Sequence, residues 1–386
     1  MPEQIKVCRV GGDRYDELMQ TMDLSFGFVD EKSVPFIQLL PKLYKKEYAP
    51  WENNICVLEN GRIRAAIGIF YQQLSVCGDL LKVGGVGNVC VHPDARGKGY
   101  MQKALGAVAE EMKHNGTDFS FLDGHRQRYA YFGYESGGTA ANVTVDAGNI
   151  RHVFGACYKP ETQIVPINED EQEKELLVRI NDLSPVHALR SPGRIVDILR
   201  SWNNNAYKLR RNGKTIGYFV LSRDDVSVTE FRVIAPEYIP DAVAAIVLPR
   251  SHMRAVFSMS VCDTDYYDYL SSIGSGVGTS GAFRVSIYQY EKTLSAFFKA
   301  KALETVLPDN RTVVLIHGFR ADENLKIEIK DNVPSVAACR DKPDLELSHL
   351  DAASFFFGFR SPMRRLAPGL CAALPLPAFL PSPDHV

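Results

Sequence analysis

Val89-Cys90-Val91-His92-Pro93-Asp94-Ala95-Arg96-Gly97-Lys98-Gly99-Tyr100-Met101 runs an apolar strand directly into a basic, glycine-rich helix start. Such a junction binds a diphosphate. Gly97 and Gly99 let the backbone turn with its N–H groups unshielded, and the helix that follows points the positive end of its dipole at the same spot. Arg96 and Lys98 supply counter-charge. The helix is credible from its own pattern: Met101, Ala104, Leu105, Val108 and Met112 share one face, and Asn115-Gly116 marks its end. The glycine spacing is neither G-x-G-x-x-G nor G-x-x-x-x-G-K-[ST], which sets aside two common nucleotide loops.

Outward from this loop, the 386 residues suffice for two or three units, and 45% hydrophobic with 23% charged residues is ordinary globular composition. A formal net charge of −2 and the lack of a strongly basic stripe argue against a nucleic-acid binder. No apolar run approaches the ~20 residues of a membrane span, and Met1 to Lys6 carries no apolar signal core, so a cytoplasmic protein without a membrane partner is expected. The eight cysteines are scattered without a C-x-x-C pair, so neither a disulfide framework nor a metal site is indicated.

Residues 1–150 read as an α/β (α+β) unit. Ile5–Val10 is a strand, and helical patterns follow around Arg14–Leu24 and Glu31–Glu47. Asn60-Gly61 between Asn54–Leu58 and Ile63–Leu74 is a hairpin signal, and Leu80–Val91 then leads into the loop. Phe119–Leu122 is a short buried strand, and Thr139–Val145 alternates as another that closes the unit. Gly84-Gly85-Val86-Gly87 lies inside a strand, where glycine marks a bulge or the close approach of a ligand.

A second unit, residues 151–283, repeats the first at an offset of about 150 residues. Trp51-Glu52-Asn53-Asn54 is answered by Trp202-Asn203-Asn204-Asn205, Asn60-Gly61-Arg62 by Asn212-Gly213-Lys214, and Ile67-Gly68 by Ile216-Gly217. Val91-His92-Pro93-Asp94 then corresponds to Ile234-Ala235-Pro236-Glu237, yet Tyr238-Ile239-Pro240-Asp241-Ala242 stands where the phosphate loop belongs. The copy keeps the pattern and has lost the loop. Residues 284–386 form a third unit: a helix over Tyr288–Ala302, strands at 312–316, 325–330 and 344–347, and a helix over Leu350–Gly358. Its tail, with Pro375, Pro377, Pro381 and Pro383 among Leu and Phe residues, reads as stiff and docked.

The loop is similar to the pyrophosphate loop R-x-x-G-x-G/A of the GCN5-related N-acetyltransferases (GNAT superfamily), which follows a V-x-V-x-P strand; Met101 stands where Gly or Ala is usual. One intact copy, one degenerate copy and a C-terminal α/β unit together resemble the Eis (enhanced intracellular survival) family over the whole chain. Tyr129-Ala130-Tyr131-Phe132-Gly133-Tyr134 matches that family's Y-x-x-F-G-Y. The resemblance implies tandem GNAT folds, the second degenerate, followed by a sterol-carrier-protein-like domain. It implies acetyl-CoA as co-substrate, held by Val89, Cys90, Val91, Arg96, Gly97, Lys98, Gly99, Tyr100, Met101 and Gly124. It also implies an aminoglycoside-like polyamine, other small amine or lysine side chain as acceptor, and a homo-oligomer such as a hexamer. Tyr129 takes the position of the family's general acid and Val386, through its carboxylate, that of the general base.

Alternatives remain at each site. His385, with an ordinary pKa near 6.5, is a rival base. Phe26, Phe28, Asp30 and His385 are candidates to line the acceptor pocket, and an amphipathic helix end explains the first three equally well. Rival functions are a lipid or sterol carrier with a vestigial first unit, and a long-chain N-acyltransferase.

Overall fold

The computed structural model describes residues 4–28, 33–168, 170–250 and 253–386, which build three β-sheets with helices packed on them. Asn60 and Gly61 both adopt positive φ (51° and 79°), and Glu59 pairs with Arg62 across the two-residue turn they make. The hairpin joins Asn54–Glu59 to Arg62–Val76, which returns as Asp79–Val91. The first sheet runs in the order Ile5–Cys8, these three strands, Phe119–Leu122, Phe283–Ile287 and Glu135–Gly137, with Val186–Ala188 added alongside Arg62–Val76. Helix Tyr100–His114 buries Tyr100, Ala104, Leu105, Val108 and Met112 in a core shared with this sheet, each large side chain contributing roughly 1.5–3 kcal/mol.

Two features of this sheet open a site. Asp79–Val91 and Phe119–Leu122 are parallel partners only from Val83 to Gly85, so Val86–Val91 has no strand partner on that side among the described residues. Ala66 pairs with Cys90 and Gly68 with Gly87, so Asn88 and Val89 together oppose Ile67 in a bulge that bends the strand further. Asn88, at φ 40°, is held there by the Tyr44 hydroxyl (2.8 Å) and by its own amide bond to Asn54 (2.8 Å).

The second sheet has the order Gly276–Ser280, Ala140–Asp146, Arg254–Met259, Ser227–Val233, Lys214–Leu221, Asn205–Arg211 and Gln163–Pro166. Asn212 and Gly213 (φ 50° and 77°) turn its hairpin as Asn60-Gly61 does the first. Ser227–Val233 and Arg254–Met259 are its parallel pair. After the former, Pro236–Tyr238 passes straight into helix Ile239–Val247, without a glycine loop.

Several expectations are corrected here. The strand expected at Thr139–Val145 to close the unit ending at 150 lies in the second sheet, as Ala140–Asp146, while Phe283–Ile287 crosses back into the first. The second sheet thus takes one strand from before residue 150, and the first takes Val186–Ala188 and Phe283–Ile287 from beyond it. Within the span expected as one helix, Glu31–Glu47, the described residues form separate turns at Phe36–Leu39, Pro41–Tyr44 and Lys46–Tyr48, because Pro41 has no N–H to continue the first.

The third sheet, Val333–Ala338, Asp322–Lys330, Asn310–His317 and Leu345–Ser348, packs with helices Tyr290–Glu304 and His349–Phe357. Its outer strand Val333–Ala338 left no expected signal, since only Val336 on it is buried. Leu374, Leu376, Ala378 and Leu380 of the tail are buried in the same core as Phe297 and Phe355–Phe357. The tail is docked. It crosses from this core, where Leu376 N–H donates to Phe356 (2.8 Å), past Thr139 N–H, which donates to Ala378 (2.9 Å), to the first sheet.

Candidate active site

Where the two parallel strands part, a cavity of about 660 Å³ opens, lined by Val89, Cys90, Val91, Arg96, Gly97, Gly99, Tyr100, Met101 and Phe26, together with Ser25, Ala95, Gln102 and Arg128. Gly97 and Gly99 take positive φ (81° and 73°), a shape that glycine adopts without strain. The Arg96 guanidinium is steadied by the Ser25 carbonyl at 3.2 Å. Bare amides, a helix start and an arginine on one wall can hold a diphosphate; the unpaired backbone of Val86–Val91 can hold an extended amide-bearing arm.

Lys98 and Gly124, expected at this cavity, do not line it. Lys98 bonds to Glu59 at 2.5 Å, as does the Tyr100 hydroxyl (2.5 Å), and both hold that carboxyl below its ordinary range. Gly124 instead packs on Tyr129: at φ +151°, a Cβ there would lie 2.5 Å from the phenol ring. Arg128 was not foreseen, although a cation next to Tyr129 was visible in the sequence.

Tyr129 ends the single helical turn Arg126–Tyr129 and is 5% exposed. Burial raises its phenol pKa, against the opposing charge and hydrogen bond of Arg128, so the hydroxyl stays protonated and able to donate.

Val386 lies on the strand at the point of parting. A Cβ on Gly85 would meet its Cγ2 at 2.7 Å, and one on Gly87 its carbonyl carbon at 3.0 Å. The glycine run thus marks a close approach, and what approaches is the chain's own last residue. His385 is adjacent, its ring tilted against Phe121 (5.7 Å). Its Nδ1 faces Asp123 Oδ2 at 2.8 Å and its Nε2 faces the Leu380 carbonyl at 3.1 Å, so both ring nitrogens meet acceptors.

The residues just upstream are pinned from several sides. Lys42 Nζ donates to the carbonyls of Pro383 and His385, the latter at 2.5 Å, and Trp202 Nε1 donates to His385 O at 3.3 Å. Burial pulls the Lys42 ammonium down to about 7, against the charge of Asp384. Arg190 grips Asp384 with two bonds (3.0 and 2.7 Å).

A second cavity, about 420 Å³, adjoins Val386 and is lined by Lys42, Phe70, Gln72, Arg190, Arg194 and Asp384 among others. Phe26, Phe28, Phe36, Tyr44 and Phe70 make a continuous series of ring contacts (6.0, 5.3, 5.3 and 5.7 Å in that order) that runs from the first cavity to the second, and all but Phe26 share an apolar cluster with Val386. Asp30 lies outside the described residues.

Residues 6–137 match the family described as Acetyltransferase (GNAT) domain. No curated protein sequence matches the chain. Among solved structures it is similar to a GCN5-related N-acetyltransferase from Kribbella flavida (14% identity, TM-score 0.68, covering 100% of this chain and 99% of that one). It is likewise similar to one from Anabaena variabilis (15%, 0.69, 97% and 98%) and to Eis1 from Mycobacterium abscessus (13%, 0.62, 97% and 96%). At such identities the likeness is one of fold, end to end. Residues 6–137 therefore match a GNAT acetyltransferase domain, which supports an acyl-CoA-dependent N-acetyltransferase, and the whole chain shares its fold with Eis1 and the other GCN5-related N-acetyltransferases.

Proposed function

We propose that the protein transfers the acetyl group of acetyl-CoA to a primary amine by direct attack, with Tyr129 as general acid and the Val386 carboxylate as general base. The observation that carries this is the seat of Val386 on Gly85 and Gly87, where the strand lining the cofactor cavity loses its partner and the second cavity begins. The acceptor ammonium passes a proton to the carboxylate, directly or through a water. Its lone pair then attacks the thioester carbon. As the C–S bond breaks, the phenol of Tyr129 gives its proton to the departing sulfur. An α-carboxylate is a weak base, with an ordinary pKa of about 3.3–3.7, so its half-buried seat and fixed position supply what its basicity lacks. His385 is the weaker candidate, because both its nitrogens are spent on Asp123 and Leu380.

The acceptor is best read as a small amine or a lysine side chain that brings one ammonium to the carboxylate. A polycation of the aminoglycoside type is less favoured: Lys42, Arg190 and Arg194 line the second cavity, and Asp384 is already engaged by Arg190. The second sheet is read as a degenerate GNAT copy, supported by its matching hairpin and parallel pair, and by a loop that has lost its glycines. A lipid carrier is disfavoured, since the tail's own Leu374, Leu376 and Leu380 fill the C-terminal core.

Coenzyme A release measured over a panel of monoamines, lysine peptides, polyamines and aminoglycosides tests the reading. Turnover with acetyl-CoA and a monoamine, and a melting temperature raised by acetyl-CoA more than by myristoyl-CoA or a sterol, is the expected result. Stabilisation by a sterol alone, with no thiol released from any acceptor, overturns it.

A further inference from the structure

The end of the chain is held by a buried cluster of charges at the wall of the second cavity, where Arg190 and Asp384 are among the lining residues. Arg190 follows strand Val186–Ala188, and its side chain is 1% exposed. It gives Nε and Nη2 to Asp384 (3.0 and 2.7 Å), and Nη1 and Nη2 to Glu230 on strand Ser227–Val233 (2.8 and 2.9 Å). The Tyr218 hydroxyl, from the neighbouring strand, donates to Glu230 at 2.6 Å. Glu230 and Asp384 are 1% and 3% exposed, so every charge here is desolvated and directional. A guanidinium that forks to two carboxylates fixes their orientation as well as their distance, which an ammonium does not. The second sheet thus holds one arm of this fork rigidly and leaves the other for the tail.

We propose that Arg190, aligned by Glu230 and Tyr218, is a positioning residue for the Val386 carboxylate: by clamping Asp384 it fixes the chain two residues before its end and sets that carboxylate over Gly85 and Gly87. The clamp gives the second sheet a part in catalysis without a cofactor loop. Only His385 lies between Asp384 and Val386, so slack at Asp384 reaches the carboxylate as far as the bonds of His385 to Lys42, Trp202 and Asp123 allow, and misplacement by about 1 Å can cost on the order of 10²-fold in rate. The catalytic half of this inference rests on the reading of Val386 as base; the clamp itself does not.

Asp384→Asn is the test variant, because it leaves Arg190 and Glu230 as a balanced buried pair, whereas removing Arg190 strands two carboxylates. Arg190→Lys is the second variant, since it keeps the charge balance and loses only the fork. Both are assayed for release of Val386 by a carboxypeptidase, for kcat and KM with acetyl-CoA, and for melting temperature. The expected result in whichever variant folds is release of Val386 at least about tenfold faster, and kcat lower by roughly 10²-fold at little-changed KM for acetyl-CoA. A tail as protected as in the wild type overturns the clamp. A tail freely released at unchanged kcat upholds the clamp and overturns Val386 as base.

Discussion

His385 Nδ1 and Asp123 Oδ2 lie 2.8 Å apart, joining the end of the chain to the end of strand Phe119–Leu122. Gly124, the next residue, carries the ring of Tyr129, so the proposed acid and the proposed base are referred to one short segment of backbone. This contact makes His385 a fastener. His385→Ala should lower kcat by less than about tenfold, while one glycine added after Val386 should lower it by roughly 10²-fold or more. Steady-state kinetics on the two variants decide it: equal losses would return the proton to the imidazole.

Tyr129→Phe should reduce kcat by roughly 10²-fold and leave acetyl-CoA affinity nearly intact, because only a proton given in the transition state is removed. Gly124→Ala should mimic it, since its Cβ would lie 2.5 Å from the Tyr129 ring. Calorimetric binding of acetyl-CoA beside turnover is the check. Unchanged turnover in Tyr129→Phe would leave that aromatic run as packing alone.

Gly87→Ala should act on the tail. The added Cβ would sit 3.0 Å from the Val386 carbonyl carbon and 3.5 Å from the Phe70 ring. Turnover should drop with acetyl-CoA binding preserved, as a thermal-shift titration alongside kcat would reveal; lost cofactor binding instead would mean that the strand itself had moved.

Arg96→Gln should weaken acyl-CoA binding roughly 10- to 100-fold, the worth of a charge-assisted hydrogen bond to phosphate. Lys98→Met should cost less than about fivefold, because that ammonium is directed to Glu59 and does not line the cavity. Comparable losses in the two titrations would place Lys98 on the diphosphate after all.

Lys42 offers a pH signature. Its ammonium falls from about 10.4 in an unfolded chain to about 7 in the fold, through burial. Between those values the unfolded state binds more protons, so stability contributed at this position rises with pH across that window and is least below about 7. The unfolding free energy of the wild type minus that of Lys42→Met should therefore climb from pH 7 towards 10, at no more than about 1.4 kcal/mol per unit. Denaturant titrations at four pH values measure it, and a flat difference would mean an ordinary ammonium.

What was legible in the sequence was local. The Arg96–Gly99 loop, the Asn-Gly turns and the helix from Tyr100 depend on neighbours within a few residues, and they stand where expected, within a residue or two. Pro41 decides against a single helix to Glu47, although the apolar pattern around it reads as continuous. The glycines at 85 and 87 announced a close approach without saying of what, because the partner lies some 300 residues away in the chain. Arg190 and Asp384 are separated by 194 residues, and no spacing rule connects a lone arginine to a lone aspartate at that range. The bonds that fix the tail are of this kind.

The exchange of Ala140–Asp146 and Phe283–Ile287 between the sheets has a consequence for folding. Either half, cut at the joint that the repeat suggests, leaves one sheet short of a strand and with an open edge. The strand that each span lends to the other sheet makes the two sheets one folding unit: neither completes its ladder of hydrogen bonds until residues 140–146 and 283–287 are both in place.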